Sequence, residues 1–156
     1  MATEAKSNEI TAIPELLDNI DVSGAVVTID AAGCQKNIAA QIIDAGGDFI
    51  FSLKGNQGNF YKAVQKWFLD QIANGFVDAT VRKYQEVVTG HGRTDVLTYY
   101  HCKVPASIPG RSQWKGLRTI GVAIRESRQG DKVPREVRYS ICSIRVSVKR
   151  FARAVR

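Results

Sequence analysis

The sequence predicts an α/β fold in which a parallel β-α-β unit with accompanying helices is followed by a β-rich antiparallel stretch. Three observations carry that expectation. Gly24 to Ile29 is an apolar, β-branched run too short for a helix, and it ends at Asp30; such a run reads as a strand buried on both faces of a helix-covered sheet. A second apolar run, Asp48 to Leu53, is separated from the first by a helical pattern closed by Gly46-Gly47. After Gly75 the hydrophobic period changes from helical to strand-like.

Taken in order, Ile13, Leu16, Leu17 and Ile20 fall at i, i+3, i+4 and i+7 and predict one helical face over Ile10 to Ile20, with Thr11 as N-cap and Pro14 in the first turn. The strand ending at Asp30 follows. Lys36 to Ala45 then places Ile38, Ile42 and Ile43 on one side of a helix, stopped by the glycine pair. With the strand Asp48 to Leu53 this makes a unit whose two strands are expected to be parallel, joined by a right-handed crossover. The loop Lys54-Gly55-Asn56-Gln57-Gly58-Asn59 leads into a helix to about Asn74 that buries Phe60, Val64, Trp67 and Phe68. Beyond it, Ala79 to Val88, Val96 to Val104, Leu117 to Arg125 and Arg135 to Ile144 read as antiparallel strands, with Thr89 to Arg93 turning the first pair and Gln129 to Lys132 the last. Three regions result: 1–76, 77–146 and a final helix beginning over 147–156.

With 156 residues, 44% of them hydrophobic, the chain can bury one core of ordinary size. No apolar run approaches the roughly 20 residues of a membrane span, and Met1 to Asn8 is too polar for a signal peptide, so a cytoplasmic location without membrane contact is expected. Cys34, Cys102 and Cys142 are widely spaced and lack a C-x-x-C pair, which suits reduced thiols better than disulfides or zinc. The net charge of +7 is unevenly placed: Met1 to Gly130 holds 14 basic and 13 acidic residues, whereas Asp131 to Arg156 holds 8 and 2. That block, with Lys149, Arg150 and Arg153, either attracts a phosphate backbone or is a solvated helix face.

Asp30, at the carboxyl end of a buried strand, stands where α/β sheets present functional groups; the alternative, and taken alone the commoner role for such an Asp, is to cap the following helix or turn. If the two strands are parallel neighbours, Lys54, Asn56 and Gln57 share its edge; alternatively, the loop's glycines only supply unusual backbone angles. His91 and Arg93 lie in the later turn, where a loop histidine is commonly just exposed. His101 beside Cys102 suggests a metal pair, but adjacent strand residues point to opposite faces and cannot readily share one ion.

The runs Lys6 to Leu17, Val27 to Gln35, Leu53 to Gly58 and Gly90-His91-Gly92-Arg93 closely resemble, in order, the H-repeat-associated (ISAs-type) insertion-sequence transposases, over about Lys6 to Arg156. The resemblance implies a partial ribonuclease-H-like catalytic core of the DDE type, with a β-rich insertion after the fifth strand of that fold. It makes Asp30 the second of three catalytic carboxylates and a metal ligand. The first Asp would come from an upstream strand and the Glu from a helix beyond Lys149 to Arg156. Mg²⁺ or Mn²⁺ is the implied cofactor, because two such ions about 3.5 to 4 Å apart can activate a nucleophile and stabilise the leaving oxygen, and hard cations want anionic oxygens. DNA ends of a bacterial element are the implied partner, with self-association left open. Gln35, Lys54, Asn56, Gln57, His91, Arg93, Lys149, Arg150 and Arg153 are the candidate nucleic-acid contacts.

The chain departs from the family after Gly90-His91-Gly92-Arg93, where Ile-Glu and basic residues give way to Thr94, Asp95, Val96 and Leu97. Asp95 is the candidate substitute for that Glu. With one of three carboxylates, the chain is expected to be inactive alone, an internal part of a catalytic domain. The alternatives are a catalytically dead remnant that binds nucleic acid, and an RNA-binding module whose G-x-x-G loop would be Gly55 to Gly58. The loop of such a module joins two helices, whereas this one follows a strand.

Overall fold

Six strands form one mixed sheet in the order β1-β2-β6-β5-β4-β3 in the computed structural model, which describes residues 12–30, 34–54, 58–128 and 133–156. A first helix, α1, covers 12–19; β1 (Val26–Ile29), α2 (Lys36–Asp44) and β2 (Asp48–Leu53) follow, then α3 (Gly58–Ala73). The antiparallel part is β3 (Arg82–Gly90), β4 (Arg93–Lys103), β5 (Thr119–Arg128) and β6 (Arg135–Cys142), and α4 (Val148–Val155) ends the chain. β1 and β2 are parallel, as their apolar runs and the intervening helix require, and β6 joins β2 antiparallel, so the later hairpins extend the same sheet.

The helices take opposite faces of this sheet. On one, Phe49, Phe51, Ile120, Val122, Tyr139 and Ile141 pack against Ile38 and Ile42 of α2 and Val64 and Phe68 of α3. On the other, Ile50, Leu97, Tyr99 and Cys142 pack against Phe151 and Ala152 of α4. The alternation is the period-two consequence of strand geometry. α2 ends as its glycines dictate: Gly46, at φ 83°, donates its N–H to Ile43 O and Gly47 donates to Ile42 O, both at 3.0 Å, the two bonds of a Schellman motif. Close approach of α4 rests on Gly121, where a Cβ would lie 2.4 Å from the Phe151 ring.

Several expectations need correcting. β1 is half-buried rather than buried on both faces, with Thr28 exposed, because it is a sheet edge that pairs only with β2 among the described residues. In α1 only Ile13 and Leu17 pack against the core; Leu16, and Ile20 just beyond the helix, are exposed, since a single sheet face is offered to one side of so short a helix. The turn expected over Thr89 to Arg93 shrinks to His91-Gly92. With φ of 52° and 71° those two residues match a primed two-residue turn, which lets Gly90 pair with Arg93 and lengthens both strands. β5 and β6 are also shifted from their expected bounds, to Thr119–Arg128 and Arg135–Cys142. The N-cap Thr11, Asn56, Gln57 and the turn 129–132 lie outside the described residues. No helix among those described is long and apolar enough to cross a membrane.

Candidate active site

The carboxyl ends of β1 and β2 place Asp30. Ile29 stands level with Phe51, so Asp30 comes level with Ser52, and that row continues through Ser140 and Gly121 to His101. Alternation along β1 puts Val26, Thr28 and Asp30 on one face, and Val26 belongs to the cluster formed by Phe151 and Ala152. Asp30 is therefore directed to the face on which α4 lies. It is exposed, and among the described residues it has no hydrogen-bonding or ionic partner. It does not cap α2: that helix begins at Lys36 behind Gln35, which makes no side-chain cap bond.

The other candidates are dispersed. Lys54 is exposed just beyond β2, on the same edge as Asp30, and Gln35 is half-buried at the start of α2. His91 is exposed at the tip of the β3-β4 hairpin, several residues along the strands from the Asp30 row. Arg93 Nε lies 3.1 Å from Asp95, which is buried and also 3.7 Å from Arg125 Nε. The candidate substitute for the family's Glu is thus held inside an ion-pair cluster. Lys149 lies 6.0 Å from the Tyr84 ring centroid, while Arg150 and Arg153 are exposed on the outer side of α4.

A buried network that residue spacing did not disclose fixes the start of α4. Ser147, the residue before that helix, donates its N–H to His101 Nδ1 at 3.0 Å. The proton of the imidazole then belongs on Nε2, which donates to Thr119 Oγ1 at 2.8 Å, and Thr119 donates onward to Ile144 O at 2.9 Å. Phe151 stacks on the imidazole at 5.0 Å. Both ring nitrogens are committed within the protein, so His101 holds no metal; burial lowers its pKa to about 4. A polar side chain inside the apolar run Tyr99 to Cys102 was the available signal. Burial likewise pushes the thiols of Cys34, Cys102 and Cys142 up to about 12, leaving them as unreactive packing groups.

As a hard carboxylate, Asp30 has the donor chemistry for Mg²⁺ or Mn²⁺. Among the described residues, however, no group of three or more His, Cys, Asp or Glu side chains could hold a metal ion. One carboxylate supplies too few oxygens for a two-metal centre.

The sequence matches the transposase DDE domain family over residues 1–156. Protein YbfL of Escherichia coli (strain K12) is 40% identical over 99% of the chain, and the H repeat-associated YhhI of the same strain is 39% identical over 99%. The H repeat-associated YbfD, also from that strain, is 44% identical over 66% of the chain. The chain spans about two-fifths of the length of these relatives, 41% of YbfL and of YhhI and 40% of YbfD. No solved structure matches it significantly. The chain belongs to the transposase DDE domain family, in the company of the H repeat-associated transposases.

Proposed function

We propose that the chain carries the central part of a ribonuclease-H-like core for DNA transposition, with Asp30 as one of the carboxylates that bind the catalytic Mg²⁺ or Mn²⁺. The observation that supports this reading most is that Asp30 ends a parallel strand on the same sheet face as α4. A helix leading on from α4 would keep to that face, where a further carboxylate could meet Asp30. The side of β1 that is unpaired among the described residues supports it too, because a parallel edge strand can take another strand, and one ending in Asp would bring its carboxylate beside Asp30. DNA strand cleavage and transfer in the bacterial cytoplasm is the activity of the whole assembly. By itself the 156-residue chain neither cuts nor joins DNA and acts at most as a nucleic-acid-binding unit, because Asp30 alone leaves Mg²⁺ most of its tightly held water.

The test places the chain within the flanking segments of YhhI and assays DNA carrying an element's ends. Mg²⁺- or Mn²⁺-dependent cleavage by this chimera, none by the 156-residue chain, and none by the Asp30→Asn chimera is the expected pattern. Metal-dependent nicking by the chain alone, or full activity in the Asp30→Asn chimera, would assign the chemistry to another group.

A further inference from the structure

At the end of the sheet where β1 and β2 begin, a concavity of about 600 Å³ is walled by Lys103, Arg111, Arg118 and Arg145; Lys103 lies two residues along β4 from His101 of the Asp30 row, with β2, β6 and β5 between that strand and β1. All four are exposed, no carboxylate lines the space, and none of the four side chains has a hydrogen-bonding or ionic partner among the described residues. Between the cations lie Val104, Leu117 and Val146. Unpaired like charges around one hollow repel each other, an arrangement that an anion relieves.

The walls are tied together rather than loosely assembled. Val104 donates its N–H to Arg118 O at 3.0 Å, and Arg118 donates its own to Cys142 O at 2.9 Å. Thr119, buried in the wall, holds Ile144 O through its hydroxyl, which fixes the segment that leads to Arg145. Three of the four cations thus spring from backbone whose spacing is set before any ligand arrives. The hollow is far larger than one phosphate needs, and its apolar strips suit sugar or base edges between successive phosphates. Arginine forks are matched to phosphate oxygens and hold them in pairs.

We propose that this concavity binds the phosphodiester backbone of DNA, at the end of the sheet where β1 and β2 begin. The proposal rests on the transposase reading for the identity of the polyanion, and it gives the protein a grip on the duplex several strands across the sheet from Asp30.

The experiment measures binding of the 156-residue chain to a labelled duplex by fluorescence anisotropy from 50 to 200 mM salt, with inorganic pyrophosphate as a second probe. Arg118→Gln/Arg145→Gln should lower the slope of log affinity against log salt by about 1.8, since each phosphate contact contributes about 0.9. Across that fourfold rise in salt, the variant should therefore lose about tenfold less affinity than the parent. Exposed arginines can be changed without loss of fold, and an unchanged circular dichroism spectrum checks this. An unchanged slope overturns the proposal. So does loss of pyrophosphate binding alone, which would make the hollow a small-anion site. The catalytic reading fails separately: a lowered slope with no Asp30-dependent cleavage in the chimera would leave the grip and remove the chemistry, and the opposite pair of results would do the reverse.

Discussion

Both ends of the sheet carry cationic side chains, and the fold treats two sets of four in opposite ways. At the end formed by the projecting hairpins, Arg93 and Arg125 flank the buried Asp95, Arg138 lies 3.4 Å from Glu136, and Arg156 lies 3.4 Å from Glu86. At the other end Lys103, Arg111, Arg118 and Arg145 meet no carboxylate among the described residues. The first four are therefore paired with carboxylates, although Arg128 and Arg135 stand exposed at the same end, whereas the second four leave an open positive field. Where charge lies along a chain says less about its field than which strands are brought together.

Helix α4 connects the two surfaces, since it starts at the His101 network and ends at the Arg156–Glu86 pair. Removing its anchor should have the largest effect. Phe151 is fully buried against Tyr99, Gly121 and His101, so Phe151→Ala should cost about 3 to 5 kcal/mol in urea unfolding. A loss under about 1 kcal/mol would mean that α4 is not docked as described.

Acid should loosen the same anchor more gently. His101 takes up a proton near pH 6.5 when unfolded but only at about pH 4 when folded, so the unfolded state binds more protons between those values. Stability should be full above pH 6.5 and fall as the pH drops toward 4, by up to about 3 kcal/mol. His101→Gln should flatten that part of the profile. A profile of the same steepness in the variant would assign the acid sensitivity to other groups.

A smaller change converts the paired end toward the unpaired one. Asp95→Asn keeps the shape but removes the charge that faces Arg93 and Arg125. It should cost about 1 kcal/mol, because both arginines are half-exposed and solvent takes over part of the pairing. The salt dependence of DNA binding should become steeper as those arginines are released. If it stays the same, the hairpin end lies too far from any bound duplex to matter.

Much of this architecture was legible in the sequence. The β-branched runs ending at Asp30 and Leu53 and the glycine stop after α2 specify a parallel pair locally, and period-two alternation identifies four later strands. The edge position of β1 was not legible, because burial of a strand's second side depends on a neighbour that its own residues do not name. The narrow β3-β4 turn was missed because it needs His91 at positive φ, which few residues other than glycine adopt. The electrostatics misled most. The basic block after Asp131 suggested one positive surface, but Arg138 and Arg156 find carboxylates while Arg145 joins cations contributed by β4, the turn at Arg111–Gln113 and the start of β5. At the site itself, the position of Asp30 followed from strand order, whereas the His101–Thr119–Ser147 network could arise only from three segments far apart in the chain.

The division between the two ends is tested most directly by the salt dependence of duplex binding in two matched variants, Arg118→Gln/Arg145→Gln and Arg125→Gln/Arg138→Gln. Both lose the same net charge, so a general electrostatic attraction would weaken equally in each. The first should lower the log-log slope by about 1.8, and the second should leave it within about 0.3 of the parent value. Equal losses of slope in the two variants, or a larger loss in the second, would contradict that division.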